Sequence, residues 1–242
     1  MANQNSARHD FSNKVVLVTG GNGALGRSIT QAFVQSNATV VSTYLNDRET
    51  SQGSPENKSA VQLIKADVTN DEEVVKLVSD ITGKYGRIHI LVNVVGGYIG
   101  DKSLPDLDEK EWDKMMTLNL KTAFLISKHV TPQMISSKYG KIVHVSSRNG
   151  LKSQGNDSAY AASKSGLIRL VEALAEETKA SNINVNCIMP STIDTEANRK
   201  AMPNADFSKW VKPEDLANVV LFLSSEEGKV ITGAAIPTYG AA

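Results

Sequence analysis

A tyrosine and a lysine four positions apart on a helix share one face, and the pair can do acid–base chemistry. An ammonium beside a phenol favours the phenolate and lowers the tyrosine pKa from about 10, so the phenol can exchange a proton with a carbonyl or alcohol near neutral pH. The 242-residue chain carries this spacing twice, at Tyr98/Lys102 and Tyr160/Lys164. Chance supplies roughly 0.5 of a match in a chain of this composition, so local context has to choose. Tyr98 lies in Gly96-Gly97-Tyr98-Ile99-Gly100, where glycines oppose a helix, whereas Tyr160 lies in Ala159-Tyr-Ala-Ala-Ser-Lys164, a strong helix former. On the pattern alone, a tyrosine that merely precedes a lysine remains the alternative.

A second constellation is Gly20, Ala24 and Gly26, which follow an apolar run and open a helical stretch. Glycines there let the backbone turn tightly and approach a pyrophosphate, whose charge the helix N-terminus favours. The competing reading is a tight strand-to-helix turn with no ligand.

Other chemistries are thinly represented. Cys187 stands alone, so no intrachain disulfide and no cysteine-based metal site can form. The four histidines (His9, His89, His129, His144) lack HExxH spacing, and no metal is expected. Lys+Arg and Asp+Glu are both 26, a balance with no electrostatic footprint for nucleic acid or an anionic membrane. The start of the chain lacks the apolar stretch of a secretory signal, and no run approaches about 18 apolar residues. These features predict a cytoplasmic protein with a small-molecule partner.

The elements that must position these residues alternate. Strands are predicted over 14–19, 38–43, 61–66, 88–93, 141–146, 184–188 and 230–237. Helices are predicted over about 24–36, 70–84 (Asn70 as cap), 108–136, 157–180 (Asp157 or Ser158 as cap) and from Pro213 onward. Repeated alternation predicts an α/β fold: a single-domain, Rossmann-type, doubly wound parallel sheet of about seven strands flanked by helices. The whole chain, 1–242, reads as one dinucleotide-binding domain, with a flexible start over 1–12, a polar loop or short helix over 46–57, and an irregular substrate lid over 191–211.

With these residues in place, the chain resembles the short-chain dehydrogenase/reductases of the classical type over nearly its full length. Thr19-Gly20-Gly21-Asn22-Gly23-Ala24-Leu25-Gly26 resembles the TGxxxGxG cofactor loop, with Ala24 where glycine is commoner. Asp67-Val68 resembles the pair at the adenine ring. Asn93-Val94-Val95-Gly96 resembles the NNAG motif with two departures. Ser147 precedes Tyr160 by the family's 13 positions, and Asn119 in Leu118-Asn119-Leu120 fits the helical asparagine. Pro190 begins a PS in place of the familiar PG, with Ile193 and Thr195 following at the carboxamide.

The resemblance implies NAD(P)(H)-dependent interconversion of a carbonyl and a secondary alcohol. Tyr160 is then the general acid/base and Ser147 holds the substrate oxygen. Lys164 holds the ribose and lowers the Tyr160 pKa, and Asn119 supports a water-linked proton relay. Tyr160 and Lys164 also count among the cofactor-binding residues. Strand alternation places Ser146 on the opposite face from Ser147.

NAD-using members carry an acidic residue at the end of the second strand. That position is Tyr44 here, and Arg48 can meet a 2′-phosphate, so NADP(H) is favoured over NAD(H). Tyr98, Arg199 (or Lys200) and Trp210 are the candidate substrate residues. A 3-oxoacyl thioester or another ketone is the expected substrate. Residues 194–210 and Val95–Tyr98 are also similar to dihydropteridine reductases, which gives an alternative activity, although those lack the serine. An alternative of another class is a non-catalytic dinucleotide-binding sensor or scaffold. The helical regions 108–136 and 158–180 resemble the family's dimer-forming pair, and a homotetramer, or a homodimer, is implied.

Overall fold

The computed structural model describes residues 9–46 and 61–241. The first strand, β1 (Val15–Thr19), is buried at all five positions, as a continuous apolar run requires when helices cover both faces of a sheet. It is followed by α1 (Ala24–Gln35), β2 (Thr39–Tyr44), β3 (Val61–Lys65), α2 (Asp71–Tyr85) and β4 (Ile90–Asn93). Next, α3 (Glu109–Met116) continues through a π turn (Thr117–Lys121) into α4 (Thr122–Ser137) and β5 (Gly140–Val145). The chain ends with α5 (Ser158–Thr178), β6 (Ile183–Pro190), α6 (Glu196–Ala201), α7 (Pro213–Ser224) and β7 (Ala235–Thr238).

All seven strands pair in parallel, in the order β3-β2-β1-β4-β5-β6-β7. The winding direction reverses between β1 and β4, which opens a crevice beyond their C-terminal ends. Thr19 is in register with Asn93, so the glycine loop and the loop after β4 leave the sheet side by side. One core lies between the sheet and α2, α4 and α5 (Val74, Leu77, Ile126, Val130, Leu167, Val171). The other lies under α1 and α7 (Ile29, Phe33, Leu216, Val220). Asn70 caps α2 by accepting from the backbone N–H groups of Glu72 and Glu73, and Asp108 forms a capping box with Glu111 on α3.

Three expectations change. The flexible start does not reach residue 12. Phe11 is 3% exposed, its ring meets Phe33 edge-on at 5.0 Å, and its N–H bonds Ser36 O at 2.7 Å. The last strand begins at Ala235 rather than 230, because Asn184 and Asn186 draw the carbonyls of Lys229 and Ile231 to their side chains and Gly233 turns the chain with φ +71°. The 191–211 segment contains α6 and a turn at Phe207–Lys209. It is closed at its base where Asp194 N bonds Val211 O (2.8 Å) and Val211 N bonds Thr192 O (3.0 Å). The polar stretch after Asn46 lies outside the described residues. Among the described residues no helix is long and apolar enough to cross a membrane.

Candidate active site

Helix α5 carries Tyr160 and Lys164 one turn apart beside the crevice. Lys164 is buried, its Nζ 5.9 Å from the centre of the Tyr160 ring and donating to Val145 O at 2.9 Å. At the end of β5 the alternation separates the two serines. Ser146 turns back and donates to Lys164 O at 3.0 Å, while the Ser147 hydroxyl is hydrogen-bonded to the Tyr160 phenol. Ser147 is therefore the serine that reaches the Tyr160 phenol.

The electrostatics differ from the simple expectation that Lys164 lowers the Tyr160 pKa. Burial raises the phenol, and the Ser147 hydrogen bond offsets this only in part. Burial also draws Lys164 down to about 8. Desolvation penalises both charged forms, so it acts against the phenolate and the ammonium together.

Asn119 sits in the π turn and is fully buried. Its Oδ1 accepts from Gly97 N (2.9 Å), and its Nδ2 donates to Gly97 O (3.0 Å) and Ser163 Oγ (3.0 Å). A π turn redirects one side chain of an otherwise regular helix, a device common at functional sites. The side-chain amide is committed to this clamp, which fixes the π turn against Gly97 and Ser163. Gly96 lies between the two head groups: a Cβ there would stand 2.8 Å from Asn119 Oδ1 and 3.1 Å from Lys164 Nζ.

The glycine loop fits a dinucleotide pyrophosphate. Gly20 has φ +67°, and a Cβ on Gly26 would meet Gly20 O at 2.2 Å, while Gly23 N bonds Gly20 O at 3.1 Å. Helix α1 starts at Ala24 with no side-chain cap and no acidic residue in its first turn, which leaves its N–H groups for an anion. The Asn22 Nδ2 is buried without a partner. Leu25 is packed in the core and offers the site only its backbone.

Around the rest of the crevice, Asn93 accepts from the Thr19 hydroxyl, and half-buried Tyr44 ends β2. Asp67 accepts from Thr69 N (2.9 Å) and Thr69 Oγ (2.7 Å), and Val68 packs into the core. Pro190 ends β6, and Ile193 O accepts from Asn198 Nδ2 at 2.8 Å. Thr195 Oγ caps α6 by accepting from Asn198 N at 3.1 Å, an acceptor role that leaves its hydrogen to donate. Arg48 lies outside the described residues.

Of the substrate candidates, the structure brings Tyr98 to the tetrad: its ring stands edge-on to Tyr160, centroids 5.0 Å apart. Arg199 pairs with Asp194 through two hydrogen bonds (2.5 and 2.7 Å) and lies over the Phe207 ring. Trp210 packs on Phe207 at 4.7 Å rather than standing free, and Lys200 pairs with Glu196.

Sequence reasoning did not find Gly97 and Ser163 as the partners of Asn119, nor Asn149 and Asp157 around Tyr98. Asp157 or Ser158 is expected to cap the helix, but the Asp157 side chain makes no cap bond. Only its position three residues before Tyr160 could have singled it out.

Comparison with known proteins agrees with this geometry. Residues 14–206 match the short chain dehydrogenase family model. A 3-oxoacyl-[acyl-carrier-protein] reductase of Thermotoga maritima is 33% identical, with 92% of this chain and 95% of the relative covered. An NAD-dependent glycerol dehydrogenase of Listeria innocua is 33% identical, with 93% and 91% covered. A short-chain type dehydrogenase/reductase from Mycobacterium ulcerans superposes with a TM-score of 0.89 at 26% identity, covering 96% of this chain and 90% of that one. With the parallel sheet, the pyrophosphate cradle and the tetrad in one crevice, the chain belongs to the short-chain dehydrogenase/reductase family of NAD(P)(H)-dependent oxidoreductases.

Proposed function

We propose that the chain is a carbonyl reductase that converts a 3-oxoacyl thioester or a related ketone to the secondary alcohol, with NADP(H) preferred over NAD(H). The observation that carries this reading is the Ser147–Tyr160 hydrogen bond with the buried Lys164 Nζ 5.9 Å from the Tyr160 ring centre. A nicotinamide dinucleotide held in this crevice would supply the hydride in reduction and accept it in oxidation. Tyr160 gives its phenolic proton to the carbonyl oxygen in reduction and takes it back in oxidation. Ser147 donates to the same oxygen as charge develops on it. Lys164 and Asn119 fix the geometry from below, and Gly20, Asn22 and the open end of α1 hold the pyrophosphate.

The cofactor preference is supported by Tyr44, which is not acidic at the end of β2, and by Arg48 four residues on. The 3-oxoacyl class is supported by the likeness to the Thermotoga maritima reductase, although the Listeria innocua relative is named for NAD and glycerol. A serine placed on the catalytic phenol favours ordinary carbonyl chemistry over dihydropteridine reduction. A pure sensor or scaffold has no need of the complete tetrad. The proposed setting is a cytoplasmic homotetramer whose first contact uses α4 and α5; Phe124 and Ile135 on α4 are 47% and 44% exposed, and light scattering reads the assembly.

The test is Tyr160→Phe assayed with acetoacetyl-CoA and both dinucleotides. The expected result is a loss of turnover of about 10²-fold or more with dinucleotide binding retained. A rate equal to wild type refutes the assignment, and a lower KM for NADH than for NADPH refutes the cofactor preference.

A further inference from the structure

Asp157 stands at the N-cap of α5, where an aspartate ordinarily accepts from the first-turn N–H groups. Its carboxylate is used elsewhere. Oδ1 accepts from the Tyr98 hydroxyl at 2.8 Å and Oδ2 from the Asn149 amide at 2.6 Å, with the residue 7% exposed. Both oxygens face donors, the arrangement of an ionised carboxylate. The loops that meet here are tied again by Lys102 N to Asn156 O at 3.3 Å. Gly100 leaves the room this needs, because a Cβ there would lie 2.1 Å from the Tyr98 hydroxyl and 2.4 Å from Asp157 Oδ1. The result is an arch that sets the Tyr98 ring at 83° against the ring of Tyr160 while leaving Tyr98 55% exposed.

We propose that Asp157 is a positioning residue that holds Tyr98 as one wall of the substrate site, and that its carboxylate selects substrates with no negative charge beside the reacting carbonyl. This rests on the reading of Tyr160 as the acid/base. Three acidic or phenolic groups face one another here (Tyr98, Tyr160 and Asp157), with Asp101 adding to the field at Tyr98. Of the nearby cations, Lys102 is paired with Glu111 at 2.6 Å, while Lys164 donates to Val145 O and keeps its charge 5.9 Å from the Tyr160 ring centre. Asp157 also acts on the phenol, raising the Tyr160 pKa in the same direction as burial. A carboxylate on the substrate beside Tyr98 would enter the field of Asp157 and Asp101, while a thioester or ester would not feel it.

The experiment compares ethyl acetoacetate with acetoacetate, and adds an ultraviolet titration of the Tyr160 phenol taken as the difference from Tyr160→Phe. Wild type is expected to favour the ester. Asp157→Asn, which keeps the shape and removes the charge, is expected to shift the ester-to-acid ratio of kcat/KM toward the acid by roughly 10–100-fold. It is also expected to move the alkaline limb of the pH profile and the phenol titration to lower pH. Tyr98→Phe keeps the charge and loses the tie. Its KM for the ester is expected to rise about three- to tenfold, with kcat less affected and the ratio unchanged.

An unmoved ratio together with an unmoved phenol titration in Asp157→Asn overturns the charge role. A Tyr98→Phe enzyme with wild-type KM overturns the positioning role, and it does so even if Asp157→Asn fails to fold. If Tyr160→Phe keeps its turnover, the acid/base reading falls instead, and the titration still reports whether Asp157 acts on that phenol.

Discussion

Gly96→Ala is the most direct perturbation of the tetrad's geometry. An added methyl needs about 3.4 Å of clearance, and it would find Asn119 Oδ1 at 2.8 Å and Lys164 Nζ at 3.1 Å. Something must therefore give by about 0.6 Å on one side and about 0.3 Å on the other. Neither neighbour is free to do so. Asn119 is held through three hydrogen bonds to Gly97 and Ser163, and Lys164 is anchored on Val145 O. A misplacement of 1 Å in a catalytic constellation costs about 10²-fold, so half of that displacement is expected to lower kcat about tenfold, equivalent to about 1.4 kcal/mol of transition-state stabilisation. Overpacking adds a stability cost of about 1–3 kcal/mol. Gly97→Ala is the control, because its Cβ would meet only the flexible Leu118 and Met115 side-chain ends, at 3.2 and 3.7 Å. Steady-state kcat on the best-turned-over carbonyl, the dinucleotide Kd and the unfolding midpoint are measured for both variants. If Gly96→Ala turns over within twofold of wild type, or if Gly97→Ala is the more damaged of the two, the reasoning from this clearance is wrong.

Two further outcomes concern the fold. Burial holds His144 neutral, with its pKa pushed down to about 3, and His89 likewise, down to about 4. The unfolded chain takes up these protons below about pH 6.5 and the native chain does not, so stability is kept above pH 6.5 and falls as pH drops toward 4; His144 alone costs about 2 kcal/mol by pH 5. Urea unfolding at pH 7 and pH 5 reads this, and equal free energies would contradict it. Phe11→Ala is expected to cost about 3–5 kcal/mol, because it empties a site packed edge-on against Phe33; a loss under about 1 kcal/mol would show that the segment before β1 is dispensable.

Much of the fold was legible because it is written in local periods. The unbroken apolar run of β1 announces a strand covered on both faces, and Asn70 and Pro213 mark helix starts by chemistry that needs no distant partner. Ser147, Tyr160 and Lys164 could be singled out because their spacing just after β5 and along α5 is itself a local pattern. What escaped depends on contacts far along the chain. Tyr98 and Asp157 are 59 residues apart, and Asn119 and Ser163 are 44 apart. An aspartate before a helix is correctly expected to cap it until a distant hydroxyl competes for its oxygens. The Arg199–Asp194 pair escaped for the opposite reason: the two are only five residues apart, but α6 has to form before they meet.

The same distinction bears on how the phenol works. Spacing alone puts an ammonium beside Tyr160 and leads to a lowered phenol pKa. The folded chain buries both groups, and burial raises Tyr160 while drawing Lys164 down to about 8. This ordering matters more than either shift. Under the proposed acid/base role, Lys164 is the stronger acid of the two and keeps most of its charge at neutral pH, so return of a proton from the lysine to a phenolate would run downhill. Asp157 pushes the phenol the same way as burial, and Ser147 pushes the other way. The chain's own groups thus favour the protonated phenol, the form that the proposed carbonyl reduction requires.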